Sequence, residues 1–233
     1  NPSTLIFNDT IWQMSPSDIS YCEKQIEIND FEISHAPQYI PIDGIASNRE
    51  EDELKIQLND VDLDYIFGTL NIKNVTFGGN ATGNLLATHL LTGAPRLSTE
   101  QFDVKDFSYN EAIFGDLHLF SMWDNDNQGI LMKGFIENKE DKQTYIDGYI
   151  FPTKDSLSLS FDPDKLNIAF LRPFVSTVMS DISGIASGHI DFFGRFKALN
   201  VTGDAYVENL DFGIESVSYT HLRAPRLALI SYA

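Results

Sequence analysis

Apolar and polar residues alternate along most of this chain of 233 residues. A period of two is the mark of a strand with one face buried and the other in water. The alternation runs through Gln25 Ile26 Glu27 Ile28, through Lys55 Ile56 Gln57 Leu58 and through Leu157 Ser158 Leu159 Ser160 Phe161. It returns in Ile190 Asp191 Phe192 and again over 201–207. Polar stretches at 48–52, 124–127 and 138–142 separate these runs and read as hairpin tips. Helical spacing is confined to 166–178, where Leu166, Phe170, Phe174 and Val178 recur every fourth residue, and Pro173 shortens or kinks any helix there. The chain is expected to be mainly β with one or two short helical segments.

The two halves of the chain also echo each other. Ile42 Asp43 Gly44 recurs as Ile146 Asp147 Gly148, an offset of 148 − 44 = 104. The run from Asp52 to Leu58 recurs from Asp155 to Phe161, an offset of 155 − 52 = 103. Gly79 Asn80 Ala81 Thr82 Gly83 recurs as Gly184 Ile185 Ala186 Ser187 Gly188, an offset of 188 − 83 = 105. Three matches at nearly one spacing describe a module of about 100 residues, each copy extending one continuous sheet. Its expected divisions are 1–41 as the end of a preceding β module, 42–145 as the first repeat and 146–216 as a truncated second repeat. Glycine inside a strand marks a bulge or a close backbone approach, so Gly79, Gly83, Gly184 and Gly188 are expected where the sheet bends.

Charge narrows the classes of partner. With 34 acidic and 16 basic side chains the net charge is −18. Nucleic-acid binding draws its affinity from clustered Lys and Arg, and no such cluster is present. Attraction to an anionic membrane surface is disfavoured for the same reason. The single cysteine, Cys22, excludes an intrachain disulfide and reads as a half-buried thiol. No apolar run reaches the roughly 20 residues of a spanning helix. Nothing after Asn1 resembles a signal peptide, so the chain reads as an internal fragment whose anchor or export signal lies outside it.

Signals for catalysis and for metals are weak. Asp124, Asp126, Gln128 and Gly129 imitate the start of a calcium loop, but the twelfth position, 124 + 11 = 135, is Phe135 where a bidentate acid is needed. His35, His89, His118, His189 and His221 show no zinc spacing. No nucleophile elbow or phosphate-cradling loop occurs. Acidic pairs such as Glu50 and Glu51, or Asp62 and Asp64, are expected from abundance alone in so acidic a chain. Four sequons begin at Asn8, Asn74, Asn80 and Asn200, which keeps an extracellular β-rich binding or adhesion module as the alternative reading. The expectation is a protein that is not an enzyme and needs no cofactor.

The DxLxLxF run from Asp155, the segment 166–174, the SGIASGHIDFFGRF stretch and VTGDAYVENLDFG together resemble the TamB family of translocation and assembly module proteins. That family belongs to the AsmA-like, bridge-like lipid-transfer group of the Gram-negative envelope. The likeness is clearest over 155–213 and extends more weakly back to 42. It implies an elongated, repeat-built and strongly curved β-sheet, a U-shaped, taco-like trough in the periplasm. It also implies passage of phospholipid acyl chains between inner and outer membranes, and assistance to outer-membrane protein assembly with an Omp85-type barrel partner. No catalytic residue carries over. Alternation then assigns the trough lining to Ile56, Leu58, Leu157, Leu159, Phe161, Ile190, Phe192, Phe196, Val201, Ala205 and Val207. Asp191, Phe193 and Arg195, with Thr202, Asp204 and Glu208, fall on the outer face.

From about residue 217 the alternation stops. Val217 Ser218 Tyr219 Thr220 His221 Leu222 Arg223 Ala224 resembles the translated read-through of a transposase library adapter. Residues 217–233 are therefore expected to be a non-native tail, poorly packed on the rest.

Overall fold

A computed structural model describes residues 3–7, 9–65, 76–92, 95–109, 112–140, 142–171, 179–196, 198–214 and 220–229. The first strands are β1 (Ser3–Phe7), β2 (Thr10–Met14), β3 (Asp18–Cys22), β4 (Gln25–His35), β5 (Gln38–Ala46) and β6 (Leu54–Asp62). They are followed by β7 (Phe77–Thr88), β8 (Arg96–Tyr109), β9 (Ala112–Asp124), β10 (Gly129–Glu137) and β11 (Gln143–Phe151). The last are β12 (Ser156–Asp162), β13 (Leu166–Asn167), β14 (Met179–Arg195), β15 (Ala198–Ile214) and β16 (Thr220–Leu229). All belong to one antiparallel sheet whose spatial order follows the chain, with β1 at one edge and β16 at the other. Two strands stand off that path. β3 pairs the first half of β4 while β2 pairs its end, and β13 pairs β14 beside Ala186, past the end of β12.

The alternation reads correctly until a bulge changes its phase. In β6, Leu54, Ile56 and Leu58 point to one face, and the register then shifts before Val61. Asp60 takes φ +53° at that point, so Val61 and Leu63 turn onto the same face and are buried. Asp30 in β4 and Asp106 in β8 repeat the device with φ of +52° and +51°, each inside a register shift. Among residues with a side chain, Asp and Asn tolerate this left-handed backbone best. Each bulged N–H is held by a side chain on the neighbouring strand. Asp30 donates to Asp43 at 3.3 Å, Asp60 to Thr82 Oγ1 at 3.1 Å and Asp106 to Asp116 at 2.9 Å.

Two of the predicted glycines sit at such shifts with positive φ, Gly79 at +115° and Gly184 at +150°. A Cβ on Gly184 would stand 2.7 Å from Val207 Cγ1, so the position is closed to any other residue without movement. Gly83 also borders a register shift but has no left-handed φ. Gly188 also has a positive φ, +139°. It lies in regular pairing with Ala205 and marks a close backbone approach, not a shift.

Corresponding strands recur along the chain. β4 and β10 begin 129 − 25 = 104 residues apart, and β5 and β11 begin 143 − 38 = 105 apart. The divisions at 41/42 and 145/146 fall inside β5 and β11, and the sheet runs through both without a break. The expected helix at 166–178 is shorter at its start. Leu166 and Asn167 pair with β14, and among the described residues of this segment Ile168–Leu171 form a 3-10 turn in which Asn167 Oδ1 accepts the Ala169 N–H. Residues 172–178, with Pro173, Phe174 and Val178, lie outside the described residues. The described part of the tail, Thr220–Leu229, is a strand of the sheet. The backbone of β16 pairs with β15 from Ile214↔Thr220 to Ala205↔Leu229, while 217–219 and 230–233 lie outside the described residues. Cys22 is exposed rather than half-buried, because every residue of β3 faces water.

Candidate apolar binding face

Residues directly opposite each other in antiparallel strands share a face, so the register maps the sheet row by row. One row runs Leu58, Gly83, Phe102, Leu119, Gly134, Ile146, Phe161, Ile190, Gly203. A second runs Thr99, Ser121, Met132, Gly148, Leu159, Phe192, Val201. Both lie on one face, and it is almost wholly apolar. This is the inner face.

The antiparallel order puts the turns after β5, β7, β9, β11 and β14 at one end of the strands, and the longer connections after β6 and β12 at the other. Their described residues next to β6 and β12 lie over the inner face. Leu63 and Leu166 join a buried cluster with Leu58, Val61, Val104 and Leu117. Ile168 joins a second cluster with Ala186, Ile190, Phe192 and Val207. Burying each such side chain contributes roughly 1.5–3 kcal/mol. At the hairpin end the cover is thinner, and large apolar side chains such as Leu97 stay 40% exposed.

The predicted lining set divides along this gradient. Leu58, Ile190, Phe192, Ala205 and Val207 are core, with Phe192 6% exposed and Val207 1%. Ile56, Leu157, Leu159 and Phe161 are half-buried. Phe161 packs on both clusters and meets Phe192 edge to face at 5.3 Å between ring centroids. Val201 is 40% exposed near the hairpin end. Phe196 departs from its assignment. β14 ends at Arg195, and Phe196 sits in the turn to β15, 45% exposed, with its N–H donated to Asp155 O.

Trp12 Nε1 in the first cluster and Thr99 Oγ1 are buried with no hydrogen-bond partner among the described residues. Neither stands out in the sequence, because a lone Thr in an alternating strand looks like any other half-buried position.

The outer face is charged and ordered by local pairs. His189 Nδ1 stands 2.6 Å from Asp162 Oδ1, and Nε2 stands 3.3 Å from Asp191 Oδ2. Ser160 Oγ donates to the other oxygen of Asp191 at 2.5 Å. The hydrogen bond to Asp162, with the Asp191 charge beside it, raises the imidazole above its ordinary pKa of 6.5 against a smaller opposing cost of burial. His118 Nδ1 stands 2.6 Å from Asp103 Oδ1. The signal for the first pair is the His189 Ile190 Asp191 spacing, which places both polar groups on one side of a strand.

Asp124 closes a hairpin tip. It accepts hydrogen bonds from the Asp126 and Asn127 backbone N–H groups, from Asn127 Nδ2 and from Tyr149 OH. Those bonds, the Asn127 amide first, hold its carboxyl down at about 2. The calcium-like stretch is thus a self-satisfied turn. Among the described residues no group of three or more His, Cys, Asp or Glu is placed to hold a metal ion.

A cleft of about 460 Å³ is lined jointly by Phe114 of β9, Lys165, Ile185 of β14 and Glu208 of β15. Compared with known protein families, with curated proteins and with solved structures, the chain has no match.

Proposed function

We propose that this chain is a non-enzymatic segment of an envelope protein of the TamB and AsmA-like kind, whose inner face carries phospholipid acyl chains across the periplasm between inner and outer membranes. In the same reading it works beside an Omp85-type barrel in outer-membrane protein assembly. The observation that carries the reading is a single sheet in chain order with one apolar face, covered at the crossover end and thinly covered at the hairpin end. A trough-like curvature is supported by the cleft shared between β9 and β15. In a flat sheet these strands, with β10, β11, β12 and β14 between them, would stand about 24 Å apart at ~4.8 Å per strand. The acidic outer face keeps the segment soluble and repels anionic headgroups from the wrong side.

Site-specific photo-crosslinking in the intact protein tests the proposal. A photoreactive residue at Leu159 or Val201, on the half-open part of the inner face, is expected to capture phospholipid, and one at Asp204 on the outer face is not. Equal labelling at all three positions would overturn the trough reading. Capture of glycan instead of lipid would favour the adhesion alternative.

A further inference from the structure

The row that holds Leu159, Phe192 and Val201 includes Thr99 and Ser121, which face each other across β8 and β9. These two hydroxyls stand in an otherwise apolar row, and beyond β8 the same face continues with Leu85 and Ile56. Thr99 is 7% exposed, and its Oγ1 is buried with no partner among the described residues. Leaving a buried hydroxyl unpaired is unfavourable, and most buried polar groups in folded proteins find a partner. The position is close to the open end. Leu97, two residues along β8 and on the same face, is 40% exposed, and Ser121 is itself half-buried. Farther along the row Gly148 carries no side chain between Met132 and Leu159, so the floor is low there.

We propose that the Thr99 and Ser121 hydroxyls hold the ester carbonyl at the head of an acyl chain whose methylenes lie along the row toward Leu159 and Val201. A hydroxyl donates one hydrogen bond, and a carbonyl oxygen has two lone pairs to accept from both residues. The carbonyl is also the chemical group at the boundary between a polar head and an apolar tail. It therefore belongs where the row changes from hydroxyls to hydrocarbon. This inference rests on the lipid reading of the inner face and adds to it a fixed end for the chain.

The test uses the whole chain and two micelle-free probes at low concentration, a lysophosphatidylglycerol with an ester-linked tail and its ether-linked analogue, which lacks the carbonyl. Wild-type protein is expected to bind the ester about fivefold more tightly, the size of one or two neutral hydrogen bonds. Thr99→Val, which keeps the shape and removes the hydroxyl, is expected to abolish that preference and leave the ether affinity unchanged. Its thermal midpoint should hold or rise, since it removes an unpaired buried group, and this separates the loss from misfolding. If both probes bind wild type equally, the carbonyl site is wrong and the lipid reading stands. If neither probe binds, the lipid reading itself fails. If Thr99→Val keeps the ester preference, the carbonyl is held elsewhere.

Discussion

His189 has a carboxylate opposite each ring nitrogen, Asp162 on β12 and Asp191 on its own strand, and its cross-strand neighbour on β15 is Asp204. Only the doubly protonated ring can donate from both nitrogens. Because its pKa is raised on folding, the stability it contributes is fully present below the unfolded value near 6.5 and is lost as pH rises through the higher folded value. Once the ring is neutral it no longer places a positive charge among Asp162, Asp191 and Asp204. The group is exposed, so the effect is small. Denaturation midpoints of wild type and His189→Gln are expected to differ at pH 5.5 and to converge as pH rises above 6.5. A gap that does not change with pH would show that the charge on the ring contributes nothing.

Strands were legible along the runs where alternation is uninterrupted, as over 54–58, 157–161, 190–192 and 201–207, and so was the face on which Leu58, Ile190 and Val207 lie. Depth on that face was not legible. Period two separates in from out, but burial depends on what folds over the strand, and Leu63, Leu166 and Ile168 reach the inner face from crossovers that alternation does not register. Phase was lost at Asp30, Asp60 and Asp106, where one left-handed residue reverses the pattern. The difference in depth has a consequence for two positions that look alike in sequence. Phe192→Asp places a carboxylate in a closed cluster and removes an aromatic ring, so it should cost more than about 3 kcal/mol and prevent folding in a marginal domain. Leu159→Asp, half-buried beside Gly148, leaves the new carboxylate within reach of water and should cost about 1–2 kcal/mol. Urea denaturation of the two variants measures the difference, and equal losses would mean that the face is uniformly closed.

At the scale of the whole molecule, strand order equal to chain order means that most paired strands are consecutive in sequence. The entropy of closing large loops is then small, and assembly can begin at any hairpin and spread to its neighbours. Such a sheet has no single nucleus and no fixed size. Amide hydrogen exchange should therefore show graded protection, highest in β8 to β14, where both flanks are paired and the clusters lie, and lowest toward β1. A single opening free energy for all strands would contradict this. A molecule built in this way can be lengthened or shortened by whole hairpins without redesign of what remains, so its reach is set by how many strands are added and not by the size of any one core.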